Sequence, residues 1–217
     1  MNCYINIHTH NYSKTIGKQI TNILYTVDPI SLVNDKNIYS IGLHPWHIKN
    51  SNSIITSFTE IIKRYNIIAI GETGIDRVCT TPLILQEQIF KQHIDISEKE
   101  KKPLIIHSVH SYYDILKFHK KHKPIMPWIL HGYNGNQEIT KQFLKYNIYF
   151  SLGQIQNNNK INNILNIIPR DRLFVETDNA KISITEVYSN ISLKLNIVEE
   201  ELKEIISQNF NKVFINE

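Results

Sequence analysis

Four histidines and two carboxylates stand at the ends of short apolar runs in this chain. They are His8 and His10 in YINIHTH, Glu72 in IIAIGETGID, His107 in PLIIH, His131 in WILHG and Asp178 in LFVETD. Side chains alternate along a β-strand, so residues two apart share a face. His8 and His10 therefore point the same way if strand geometry continues through them, and two converging imidazoles can share a metal ion. A single histidine at a strand end is more often a hydrogen-bonded core or rim residue. Six metal-capable residues at the ends of apolar runs are harder to explain that way. Four imidazoles and two carboxylates suffice for two divalent ions with one carboxylate bridging. Paired metals about 3.5–4 Å apart can hold a bridging hydroxide as nucleophile and clamp the group it attacks. Mixed nitrogen and oxygen ligation fits Zn2+, Mn2+, Fe2+ or Co2+ better than an all-oxygen Mg2+ cage, without choosing among them.

Eight β-rich runs must position these residues: CYINIHTH, NILYTVD, IYSIGLHP, IIAIGETGID, PLIIHS, WILHGY, IYFSLG and LFVETD. Their near-continuous apolar character predicts strands buried on both faces, as in a parallel sheet. Helical spacing of apolar residues lies between several of them. It covers Ser53 to Tyr65, Pro82 to Lys101, a helix capped by Ser111, Glu138 to Tyr146 and Ile161 to Ile168. A last helix carries Leu202, Ile205, Ile206, Phe210 and Val213 on its buried face, with Asn196 and Glu199 as its capping arrangement. Eight strands alternating with helices predict an α/β fold, a single-domain TIM-type (β/α)8 barrel over residues 1–217. In such a barrel all C-terminal strand ends gather at one face, where active sites sit. These barrels usually need about 250 residues and seldom fewer than about 200, so the 217 residues here predict a compact barrel. Distortion is expected in the first βα units, since Asn11 to Asn37 leave little room for two full ones. The Asn-rich QIQNNNK reads as a solvated connector.

The composition, 41% hydrophobic and 20% charged, suits one globular domain with a substantial core. A formal charge of +4 tolerates an anionic partner such as nucleic acid without requiring one. Cys3 and Cys79 form no CxxC or disulfide framework, which makes a reducing compartment the default. No signal peptide and no membrane-length apolar run is visible. A cytoplasmic protein with no membrane association and no obligate protein partner is expected.

In order along the chain, HTH, GLHP, GETGID, IIH, HGY and ETD resemble the TatD-like metal-dependent hydrolases of the amidohydrolase superfamily. The likeness extends to Gln86 and Phe90 after GETGID, to PRDRLFVETD from Pro169 and to NFNKVF from Asn209. The resemblance implies a TIM-like barrel with a divalent-metal site. By position, His8 and His10 would bind one metal, Glu72 would bridge, and His107 and His131 would bind the second. Asp178 would bind the first metal and orient or deprotonate the nucleophilic water, so Asp178 and Glu72 are the expected catalytic residues. TatD-like proteins are typically nucleases, often removing nucleotides from 3′ ends of DNA, and some are deacylases of D-aminoacyl-tRNA. The expected activity is a metal-dependent deoxyribonuclease, a 3′–5′ exonuclease on single-stranded DNA acting through a metal-bound hydroxide. The expected cofactor is two divalent ions, Zn, Mn, Mg, Fe or Co, and the expected partner is DNA. The alternatives are a D-aminoacyl-tRNA deacylase or other ester or amide hydrolase, and a non-catalytic metal-binding interaction protein.

The chain departs from that pattern in places. Asn11-Tyr12 follows HTH where many relatives have a Leu-Asp-like pair, and Asn179-Ala180 follows ETD in place of Ala-Pro. The fifth-strand histidine continues as HSVHSYYD where many relatives have Ser-Arg. Val109 cannot bind a phosphate, and a charged His110 would partly substitute. His44 in GLHPW, His110 and Tyr133 are the candidate substrate-binding residues. His44 is also placed to orient a ligand through a hydrogen bond. Asp76 reads as structural support for a loop or a ligand histidine, and Glu176 as an aid beside Asp178. Trp46, Tyr12, Tyr112 and Tyr133 could stack on bases, with rim packing as the plainer reading. The basic run KFHKKHK reads as a solvated helix end. Five of the seven glycines sit in or beside the strand-end motifs, which suggests close backbone approach there.

Overall fold

The computed structural model of the chain describes residues 3–11, 17–24, 37–48, 54–153 and 163–215. Its strands are β1 (Ile5–Thr9), β2 (Lys18–Leu24), β3 (Ile38–Gly42), β4 (Ile67–Asp76), β5 (Leu104–Val109), β6 (Trp128–Leu130), β7 (Ile148–Leu152) and β8 (Leu173–Val175). Their hydrogen-bonded order is their sequence order. The helices are α1 (Ile54–Arg64), α2 (Leu83–Glu100), α3 (Tyr112–His122), α4 (Gln137–Phe143), α5 (Ile184–Leu195) and α6 (Glu199–Phe210). The fold is the TIM-type (β/α)8 barrel that the alternation predicts. Every residue of β1 and of β7 is buried, as strands covered on both faces must be. No described helix is long and apolar enough to cross a membrane.

Local chemistry explains where elements differ from expectation. β2 starts at Lys18, earlier than the run NILYTVD suggests, because the Lys18 amide donates to the Tyr4 carbonyl oxygen at 2.9 Å. The run from Ser183, SITEVYSNISLKL, was not among the expected helices, yet it forms α5. The Ser183 hydroxyl accepts the Glu186 amide, and Ile184, Val187, Tyr188 and Ile191 are buried. Ser-x-x-Glu before an apolar run is the signal that could have found it. Asn196 does not cap α6. It adopts the left-handed conformation that ends α5, and the α6 N-cap is Val198 with no side-chain cap bond. Asparagine tolerates that conformation better than most residues. Ser111 stands at the N-cap of α3, but its hydroxyl donates to the Ile75 carbonyl oxygen at 2.6 Å instead. Most of the Asn11 to Asn37 stretch, the QIQNNNK connector, Tyr12 and the side chains of Ile54 and Ile55 lie outside the described residues, as does the start of the Ile161 to Ile168 helix.

The contacts divide the chain into two compact units, Met1–Ile20 with Ile129–Glu217, and Thr21–Trp128. In the first, the Tyr188 hydroxyl accepts the Ile5 amide and donates to the Ile5 carbonyl oxygen, at 3.0 and 3.1 Å. Asn6 and Thr177 exchange two hydrogen bonds, at 2.8 and 3.1 Å, that lock the end of β8 to β1. Asn209, from the NFNKVF motif, donates to the Arg170 and Leu173 carbonyl oxygens and so anchors the start of β8. In the second unit, Phe90 packs against Phe118 and Trp128.

His93, fully buried on α2, accepts the Leu43 amide at Nε2 and faces the Ile89 carbonyl oxygen at Nδ1, 2.8 Å away. Both ring nitrogens are committed in the neutral form. Burial pushes its pKa down to about 4, and burial does the same at His119. The unfolded chain protonates these rings near pH 6.5 and the folded chain only near pH 4, so stability falls as pH drops through that window and levels off below it. For His93 alone the loss is about 3 kcal/mol. Denaturation midpoints taken between pH 7.5 and pH 4 are expected to show the decline. His93→Gln, which accepts from Leu43 but does not titrate, is expected to remove its share of the decline and leave that of His119; an unchanged slope would remove His93 as a source.

Candidate metal centre

In the first unit, β1 places His8 and, one residue past its end, His10. Their rings lie 5.0 Å apart at 85°. Both converge on one carboxylate oxygen: Asp178 Oδ1 is 3.6 Å from His8 Nε2 and 3.3 Å from His10 Nε2. The period-two expectation at HTH is met in this geometry. Asp178 follows β8 in the left-handed region, φ 48, which aspartate visits more readily than most side chains. Its amide donates to the His8 carbonyl oxygen at 3.1 Å, and its own carbonyl oxygen accepts from the Thr9 hydroxyl at 3.2 Å. His131 follows β6, its ring 4.4 Å from that of His8. One donor atom each from His8, His131 and Asp178 lies within 4.8 Å of the others. Burial by itself raises the Asp178 pKa, but hydrogen bonds from His10 and His8 outweigh it and hold the carboxyl far below the usual range. Asp178 is therefore ionised at working pH.

Glu176, fully buried, fixes His131. Its Oε1 accepts the Gly132 amide at 2.7 Å and lies 3.3 Å from His131 Nδ1. With Nδ1 donating to this carboxylate, the lone pair of His131 is left on Nε2, the arrangement of a ligand histidine backed by a carboxylate. The other oxygen, Glu176 Oε2, is buried with no hydrogen-bond partner among the described residues.

In the second unit, the β4–β5 register shifts between Ile70 and Thr73. Glu72 falls in that irregularity, and such breaks in a ladder re-aim side chains. Its carboxylate is buried. Oε1 lies 2.8 Å from His107 Nδ1 and 3.4 Å from His44 Nε2. Asn22 brackets Glu72 from β2, accepting its amide at 2.9 Å and donating to Oε2 at 3.4 Å. No pattern around Asn22 in the sequence points to this role. His107 Nε2 is 3.2 Å from Asp76 Oδ2, which also accepts the Trp46 indole N–H at 2.7 Å. Asp76 is itself held by the Val78 amide on Oδ1 and by Gln86, which accepts the Asp76 amide and donates to its carbonyl oxygen. Burial raises the Asp76 pKa, and the bonds from Trp46, Val78 and His107 more than reverse it.

The donor atoms fit a divalent ion. Ligands about 2.0–2.1 Å from a tetrahedral ion stand about 3.3–3.4 Å from one another, and Asp178 Oδ1 already lies 3.3 and 3.6 Å from two imidazole nitrogens. If His107 donates Nε2–H to Asp76, its Nδ1 lone pair meets Glu72 Oε1 at 2.8 Å. Two acceptors that close require a proton or a cation between them. His44 groups with Glu72 and His107, but its chemistry differs. Its Nδ1 accepts the Trp46 amide at 3.1 Å, so the neutral ring carries its proton on Nε2, aimed at Glu72. His44 thus fits a hydrogen-bond donor to Glu72 rather than a ligand.

The remaining candidates separate. His110 is exposed after β5 with φ 52. Tyr133 lies in the core, its hydroxyl bonded to Thr140 at 2.7 Å and its ring 4.7 Å from that of Phe150. It is a packing residue, because the chain after β6 turns the ring inward. Trp46 is 63% exposed.

The sequence matches the TatD related DNase family over residues 10–215. It is 25% identical over 198 residues to the uncharacterized metal-dependent hydrolase YcfH of Escherichia coli (strain K12), covering 83% of this chain and 74% of that one. It is 29% identical over 148 residues to the human 3'-5' RNA nuclease TATDN2, covering 64% of this chain and 19% of that one. The crystal structure of YJJV, a TatD homolog from Escherichia coli k12, shares the fold with a TM-score of 0.87 at 17% identity, covering 99% of each chain.

Proposed function

We propose that this chain, which belongs to the TatD related DNase family and is a metal-dependent hydrolase, cleaves phosphodiester bonds of single-stranded DNA from the 3′ end. The observation that carries the reading is the convergence of His8, His10, His131 and the ionised Asp178 on one small region of the first unit. The similarity to a nuclease among its relatives adds support for phosphodiester chemistry. His8, His10 and Asp178 would hold one divalent ion, joined there by His131, which the resemblance assigned to the second but which groups with His8 and Asp178; Glu72 with His107 would hold the second. Bound divalent ions supply electrostatic stabilisation of the charge that develops on a phosphoryl oxygen and lower the pKa of water.

The chain's own residues do the rest. Asp178 accepts a hydrogen bond from the attacking water and aligns it with phosphorus. Glu176 keeps the His131 proton on Nδ1, and Asp76 keeps the His107 proton on Nε2, so each ring presents its other nitrogen. His44 and Asn22 hold the Glu72 carboxylate in place. The irregularity in β4 sets where that carboxylate stands.

The test is to incubate metal-free protein with 5′-labelled single-stranded DNA and to add Mg2+, Mn2+ or Zn2+ in turn. A metal-dependent ladder that shortens from the 3′ end is the expected result. If folded, metal-loaded protein leaves DNA intact but releases amino acid from a D-aminoacyl-tRNA analogue, the DNA reading is wrong. Cleavage of RNA alone would move the substrate to the other nucleic acid.

A further inference from the structure

Among the described residues, Trp46 is a large aromatic side chain left 63% exposed and yet held in place. It sits in the short 3-10 turn Pro45–His47 after β3. Its indole N–H donates to Asp76 Oδ2 at 2.7 Å, and its amide donates to His44 Nδ1 at 3.1 Å. The ring is 5.1 Å from that of His44 at 87°, and 6.5 Å from that of His107 at 76°. His44, grouped with Glu72, and Asp76, in contact with His107, therefore fix its distance from the cluster. Rim packing does not account for it, since a packed ring would bury most of its surface and this one leaves 63% exposed. An exposed indole costs solvation, and this one is tethered through its N–H with most of its surface open to solvent.

Resting on the DNA reading above, we propose that Trp46 is the stacking platform for the nucleobase beside the scissile phosphate. A phosphate oxygen at the Glu72–His107 cluster leaves the attached nucleoside within reach of a ring 5–6.5 Å from the cluster's histidines. Aromatic rings stack or meet edge to face at centroid spacings of about 4.5–7 Å. Every base has a π-face, so such a platform binds without selecting sequence. Trp46 is thus a substrate-binding residue of the second unit, in a chain where Val109 supplies no cation to the phosphate.

The test uses the full chain with Mn2+ and a single-stranded phosphorothioate oligonucleotide that resists cleavage. The chain has two tryptophans, and Trp128 is fully buried, so quenching of emission by iodide reports on Trp46. The base-bearing strand is expected to shield the emission, and an abasic strand of equal length is not. Trp46→Leu is expected to weaken binding of the base-bearing strand by about 5- to 150-fold and to leave the abasic strand unaffected. Trp46→Phe, which keeps a ring and loses the bond to Asp76, is expected to stay within about three-fold of wild type. Equal affinity for the two strands, with DNA still cleaved by the wild type, overturns the stacking inference and leaves the DNA reading standing. Absence of both binding and cleavage overturns the two together.

Discussion

In Asp178→Asn, hydrolysis of single-stranded DNA is expected to fall by about 10²–10⁴-fold while the chain stays folded. Asparagine occupies the left-handed region as readily as aspartate, so φ 48 at this position is no obstacle. The backbone bonds to His8 and Thr9 do not involve the side chain. What disappears is the charge that His8 and His10 face at 3.6 and 3.3 Å. The amide still accepts one hydrogen bond, but it binds a cation weakly and takes no proton from water. Initial rates at saturating metal, with a denaturation midpoint as control, decide it. Turnover at the wild-type level would take Asp178 out of the reaction. A large fall in the midpoint would assign it to the fold instead.

Gly74→Ala is expected to cost at least about 3 kcal/mol of stability, a fall in midpoint of about 6–12 °C for a chain of this size. Gly74 pairs with His107 across the β4–β5 ladder. Its φ of +151 lies where other residues are strained, and a Cβ there would stand 2.0 Å from the His107 carbonyl oxygen. That atom is backbone in a buried strand, so the clash is relieved only by separating β4 from β5. The same separation would move Glu72 and Asp76 away from His107, so metal affinity is expected to fall along with stability. Thermal denaturation measures the first and equilibrium dialysis against Mn2+ the second. A midpoint within a degree of wild type would show that the ladder yields more easily than its burial implies.

The strands were legible in the sequence because a buried parallel strand is written as an unbroken apolar run, but the first polar residue is not always the end: β4 runs on past Glu72 to Asp76 and β5 past His107 to Val109. The apolar runs are why HTH, GETGID, IIH, HGY and ETD could be read as the chemistry-bearing positions, and why the barrel followed from the alternation of elements. Alternation along β1 also fixed that His8 and His10 share a face. Helix α5 was missed, although Ser183 and Glu186 write its start as a local capping motif. Asn196 was ambiguous: an asparagine between two helices can start one or end the other, and only the backbone conformation decides.

Tertiary structure alone decided the partners. Nothing near Asn22 in sequence says that it will grip Glu72, and nothing near Glu176 says that its Oε1 will hold both Gly132 and His131. The proton on His44 is placed by the Trp46 amide, two residues away, while the His107 ring lies between Glu72 and Asp76, 35 and 31 residues away. Tyr133 could be read as a base-stacking residue beside HGY until packing against Phe150 and Thr140 claimed it. Residue type and strand period are properties of the chain itself, and they name the atoms able to bind a metal. Which of those atoms carries the lone pair depends on hydrogen bonds made by residues distant in sequence, so it is settled only when the fold brings them together.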